Sequence, residues 1–108
     1  MIKYLKNKIL NFLKINYLKK EQEEIKLLLG KLINKVNRKN QPKNLIDIEF
    51  KVFSQFGDDG IIQYLIEKIN IPHEYENFIE FGVENYSESN TRYLLFNNNW
   101  SGLIMDAS

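Results

Sequence analysis

The sequence predicts an α/β fold, a strand–helix–strand unit with two parallel strands preceded by helices at the N-terminus. Three observations carry this. Phe78-Ile79-Glu80-Phe81-Gly82 and Gly102-Leu103-Ile104-Met105-Asp106 are short apolar runs, one closing on a glycine and the other on a carboxylate. The stretch between them holds a capping cluster, Ser89-Asn90-Thr91, and a short helix-forming run. That is room enough for a crossover, which is right-handed by the usual rule. Upstream, residues 1–44 space apolar residues at intervals of three and four with lysines between them, the mark of amphipathic helices.

At 108 residues the chain has the length of one small domain. It holds no cysteine and one histidine. A disulfide scaffold, a thiolate zinc site, an iron–sulfur cluster and a thiol nucleophile are therefore excluded. The net charge of +1 conceals a split. Residues 1–44 set twelve basic side chains against three acidic ones, for +9; residues 45–108 set three against eleven, for −8. Such asymmetry marks two parts with different roles, a basic helical segment (1–44) and an acidic α/β portion (45–108).

In the basic segment, Ile2, Leu5, Ile9, Phe12 and Leu13 define a first helix within residues 2–17. Glu21, Glu23 and Glu24 fall where the first turn of a second helix would favour carboxylates. Ile25, Leu28, Leu29, Leu32, Ile33 and Val36 continue it, and Pro42 follows its end. These helices would pack on the acidic half or on a partner. Lysines beside Phe12 and the leucines make residues 1–17 a candidate peripheral membrane contact. No nucleic-acid-binding module surrounds the lysines, so no nucleic-acid partner is expected. Lysines interrupt every apolar stretch, so neither a secretory signal nor a membrane span forms. A cytoplasmic, or at most membrane-peripheral, location is expected.

In the acidic portion, residues 46–53 alternate apolar and polar and fit a strand or an extended lead-in. A turn cluster, residues 54–60, precedes a helix marked by Ile61, Ile62, Leu65, Ile66 and Ile69. Asp58 and Asp59 stand at its start as caps, and Asn70-Ile71-Pro72 stops it. In open α/β sheets, ligands bind beyond the carboxyl ends of the strands. Gly82 would let backbone approach a nucleoside there, and Asp106 could accept hydrogen bonds from both ribose hydroxyls. The same spacing also fits a turn glycine and an exposed strand-end acid.

Four pieces come in a telling order: Phe53-Ser54-Gln55-Phe56-Gly57-Asp58-Asp59-Gly60, Phe78-Ile79-Glu80-Phe81-Gly82, Ser89-Asn90-Thr91, and Asn99-Trp100-Ser101-Gly102-Leu103-Ile104-Met105-Asp106. Together they resemble the N-terminal part of FkbM-like, S-adenosylmethionine-dependent methyltransferases, over residues 53–108. The resemblance implies the start of a Rossmann-like class I methyltransferase sheet. It implies that Glu80 and Gly82 belong to the cofactor loop and that Asp106 holds the adenosine ribose. Ser89, Asn90 and Thr91 would begin the next helix, with Asn90 near the cofactor, and Gln55 and Asp58 would lie beside its pocket. Tyr86 is a candidate for a cation–π contact with the sulfonium, and Trp100 for a packing residue. Where many methyltransferases carry G-x-G-x-G, this loop reads Gly82-Val83-Glu84-Asn85-Tyr86.

By the same resemblance the family sheet has several further strands, so the chain is expected to be the front of a longer protein. The expected activity of that protein is O-methylation of a small-molecule or glycan acceptor. The alternative is a non-catalytic remnant acting through its basic amphipathic helices. A dinucleotide oxidoreductase is disfavoured, because G-x-G-x-x-G is absent. His73 follows Pro72 in a loop and reads as solvated.

Overall fold

The computed structural model describes residues 1–107. It is a mixed α/β arrangement: α1 (Ile2–Lys39), α2 (Asp58–Ile69), β1 (Asn77–Phe81), α3 (Arg92–Asn98) and β2 (Ser101–Met105), with 3-10 turns at Leu45–Ile48 and His73–Tyr75. The two strands pair in parallel, Asn77 opposite Ser101 through Phe81 opposite Met105. α3 makes the crossover between them.

The basic segment is one helix of 38 residues, not two. Glu21, Glu23 and Glu24 lie in mid-helix. The physical reason is local: the stretch from Lys19 to Glu24 is built of Lys, Glu and Gln, all good helix formers, with no Gly or Pro to break it. Lys19 with Glu23, and Lys20 with Glu24, also stand four apart with opposite charge.

The second half of α1 docks on the rest of the chain through one face. Leu27 packs against the core of Phe50, Val52, Phe53 and Tyr93. Gly30 is where α1 comes closest: a Cβ there would sit 2.9 Å from Val52 Cγ2 and 3.1 Å from the Tyr93 ring and hydroxyl. Its cost to helix propensity is thus offset by close packing. One turn on, buried Asn34 donates to Glu67 at 3.5 Å, and Arg38 pairs with the same carboxylate. Asn37 donates to the Ile48 carbonyl at 3.1 Å. Residues 1–20 touch none of this and are exposed throughout.

Residues 46–53 take the lead-in alternative rather than a strand. Ile48, Phe50 and Val52 are buried while Asp47, Glu49 and Lys51 are exposed, so the alternation is real. It serves a segment packed beneath the helices, with no neighbouring strand. α2 and α3 both stop at an asparagine in the left-handed region, Asn70 (φ 55°) and Asn99 (φ 57°). Asn tolerates that conformation better than most residues. Trp100 is buried, and its backbone N–H donates to the Leu94 carbonyl at 3.1 Å. The sheet itself is open. Ile79, Phe81, Leu103, Ile104 and Met105 are all exposed.

Candidate functional site

The C-terminal ends of the two strands meet at one point. The Gly82 N–H donates to the Met105 carbonyl at 2.8 Å. Gly82 then turns the chain with φ +69°, and among the described residues nothing beyond its chain neighbours lies within 4 Å of where a Cβ would be. Asp106 follows Met105 directly and is exposed. Phe81, Gly82, Met105, Asp106 and Ala107 line an open hollow of about 270 Å³. The parallel register thus brings the predicted glycine and the predicted carboxylate together.

The loop after Gly82 is held from below by Glu80. Its carboxylate accepts the Asn90 N–H at 2.9 Å, the Thr91 N–H at 3.1 Å and the Thr91 hydroxyl. Glu80 is therefore committed to the loop and positions it. The Asn90 side chain is exposed. Within the loop, Glu84 (φ 49°) and Tyr86 (φ 62°) also adopt left-handed backbone. That conformation is uncommon for side-chain-bearing residues and persists only where the surroundings enforce it. The enforcement is visible. Tyr86 shares a hydrogen bond of 3.0 Å with the Thr91 hydroxyl, and Arg92 donates to the Tyr86 and Ser87 carbonyls at 3.3 and 3.0 Å. Ser89 Oγ accepts the Arg92 N–H at 3.0 Å, a cap on the first turn of α3. Gly82, Val83, Glu84, Asn85, Ser87 and Glu88 line a second, smaller hollow with two carboxylates at its rim.

The turn cluster before α2 is tied to this loop. The Ser89 N–H donates to the Phe53 carbonyl at 3.1 Å. Arg92 stacks its guanidinium 4.5 Å from the Phe53 ring centroid and 5.3 Å from that of Phe96. Of the two adjacent aspartates, Asp59 has a role unlike a simple helix cap. It is buried, and its Oδ2 accepts the backbone N–H groups of Val52, Phe53 and Ser54 at 2.8, 2.8 and 3.0 Å. Asp58 is half-buried at the first position of α2, and Gln55 is exposed. His73 is exposed and lies 2.8 Å from Glu76.

The sequence does not single out Arg92, and it gives Asp59 only as a helix cap. Arg92 clamps the loop through two carbonyls and two rings, and its signal was its place directly after Ser89-Asn90-Thr91. Asp59 organises residues 52–54, which an acid beside a turn does not by itself disclose. Among the described residues no group of acids and histidine is arranged to hold a metal ion. Among the described residues no helix is long and apolar enough to cross a membrane. The chain matches no family model, no curated protein and no solved structure.

Proposed function

We propose that residues 53–106 form the cofactor-binding start of an S-adenosylmethionine-dependent methyltransferase fold. The observation that supports this most is the juxtaposition of Gly82 and Asp106 at the carboxyl ends of two parallel strands, joined through the Gly82–Met105 hydrogen bond. This is where open α/β sheets take ligands.

The residues fit the group chemically. Gly82 leaves open space where a side chain would stand, so the ligand can approach the backbone. The exposed Asp106 carboxylate can accept from both ribose hydroxyls. The acidic rim of Glu84 and Glu88 suits the cationic sulfonium and ammonium of the methionine part. When bound, the cofactor supplies an electrophilic methyl group. Glu80 and Arg92 hold the loop that would orient it. Tyr86 keeps its hydroxyl on Thr91, which fixes its ring beside the loop. The acceptor class, a hydroxyl on a small molecule or glycan, follows from the resemblance of residues 53–108 to FkbM-like methyltransferases.

The test is amide-resolved NMR of the chain titrated with S-adenosylhomocysteine. Shifts are expected at Gly82, Val83, Asp106 and Ala107. Shifts elsewhere only, or none, would overturn the proposal.

A further inference from the structure

α1 carries an apolar seam that neither the sheet nor the hollow beside Gly82 uses. Ile15, Leu18, Gln22, Ile25, Leu29, Leu32 and Val36 alternate by three and four residues along the helix. That spacing keeps them on one face. The six apolar members are 49% to 59% exposed, and exposed Leu28 and Ile33 widen the seam. α1 meets the body through Glu23, Leu27, Gly30, Asn34, Asn37 and Arg38, on the far side of the helix, and Leu29 and Ile33 at one border of the seam line a hollow with Phe50 and Val52. The body therefore leaves most of the seam, Ile15, Leu18, Ile25, Leu32 and Val36, open to a partner.

Charge decides which partner. α1 holds ten lysines and Arg38 against three glutamates, and Glu23 is already paired with Arg92 at 3.4 Å. Lys14, Lys19, Lys26 and Lys35 border the seam, with Glu21 the one acid among them. A parallel second copy would set Lys14 beside Lys19 and gain only Glu21 beside Lys26, while the helix as a whole, with eleven basic side chains against three acidic, repels its own copy. An anionic lipid surface satisfies both features. The seam sinks to the acyl boundary, and the lysines reach back to the phosphates. A helix of this length, about 57 Å at the α-helical rise, would lie flat on it.

We propose that α1 is an interfacial helix that lays residues 15–36 on an anionic bilayer and holds the strand–helix–strand body at its surface. This rests on α1 alone and is independent of what the hollow binds. The test is flotation of the whole chain with vesicles of phosphatidylcholine, and of equimolar phosphatidylcholine and phosphatidylglycerol. Binding is expected to the anionic vesicles and to weaken with salt. Ile25→Gln/Leu32→Gln should weaken it by about tenfold or more. Lys19→Glu and Lys26→Glu should each weaken it by about fivefold or more. All four side chains are exposed, so circular dichroism should show the fold retained. Absence of binding to anionic vesicles at low salt would overturn the proposal. Unchanged binding of the Ile25→Gln/Leu32→Gln variant would also overturn it, since attachment would then be diffuse charge attraction. A dimer in light scattering that the same variant abolishes would assign the seam to a second copy instead.

Discussion

Asp59 and Ser54 secure each other's backbones: Asp59 Oδ2 accepts the Ser54 N–H at 3.0 Å, and Ser54 Oγ accepts the Asp59 N–H at 3.1 Å. Both residues are buried. The exchange has the reciprocal logic of a capping box, here joining the start of α2 to the segment before it. Removing the carboxylate would leave the buried N–H groups of Val52, Phe53 and Ser54 without a partner. Asp59→Ala is expected to cost about 3 kcal/mol or more, measured by urea denaturation. Asp58→Ala, at a half-buried first-turn position, is expected to cost less than about 1 kcal/mol. Equal effects would show that Asp59 does not organise this turn.

Glu80 joins β1 to the start of α3 through Asn90 and Thr91. Glu80→Ala should destabilise the chain by about 1–3 kcal/mol. Amide hydrogen exchange should speed up at residues 83–91 more than in α2. Unchanged exchange there would mean that the loop is held by Arg92 and Tyr86 alone.

Gly82→Ala isolates backbone strain. The site has room for a methyl group, but φ is +69°. The expected loss is about 1–2 kcal/mol, read from the denaturation midpoint. A neutral result would mean that the turn adopts another conformation in solution.

Tyr93 couples the core to pH. Burial, reinforced by the Asp59 carboxylate and opposed by Arg38, pushes its pKa from 10.0 up to about 12. In the unfolded chain the phenol ionises first, so its share of stability is intact below pH 10 and is lost as pH rises toward 12. The loss should be on the order of 2–3 kcal/mol. Its hydroxyl has no hydrogen-bond partner among the described residues. Tyr93→Phe should therefore fold at least as stably at pH 7, and the difference between the two proteins should grow in favour of Phe above pH 10. Parallel stability curves across that range would contradict this.

Much of the α/β portion was legible because its punctuation is local. The apolar runs at 78–82 and 102–106, the stop that begins at Asn70, and Ser89 ahead of Arg92 each act within a turn of where they stand. α1 was less legible. Its charged middle, Lys19 to Glu24, has the composition of a helix start as well as a helix interior, and only continuity of the backbone separates them. Residues 46–53 show what period-two patterning reports. It marks an extended segment with one buried face, as Ile48, Phe50 and Val52 confirm, and is silent on what takes the amide protons. Here the Asp59 carboxylate takes those of Val52 and Phe53. At the site, sequence alone named Gly82 and Asp106. It could not show that the Glu80 carboxylate is spent on backbone ten residues further on.

The most direct test of the proposed cofactor site is isothermal titration of S-adenosylmethionine into the chain and into its Asp106→Ala variant. Asp106 is exposed and follows the last residue of β2, so the substitution should leave the fold intact. Saturable binding by the parent chain is expected, with a loss of about tenfold or more without the carboxylate, since hydrogen bonds to a charged acceptor are among the stronger ones. No binding by the parent chain, or equal binding by both proteins, would contradict the proposal.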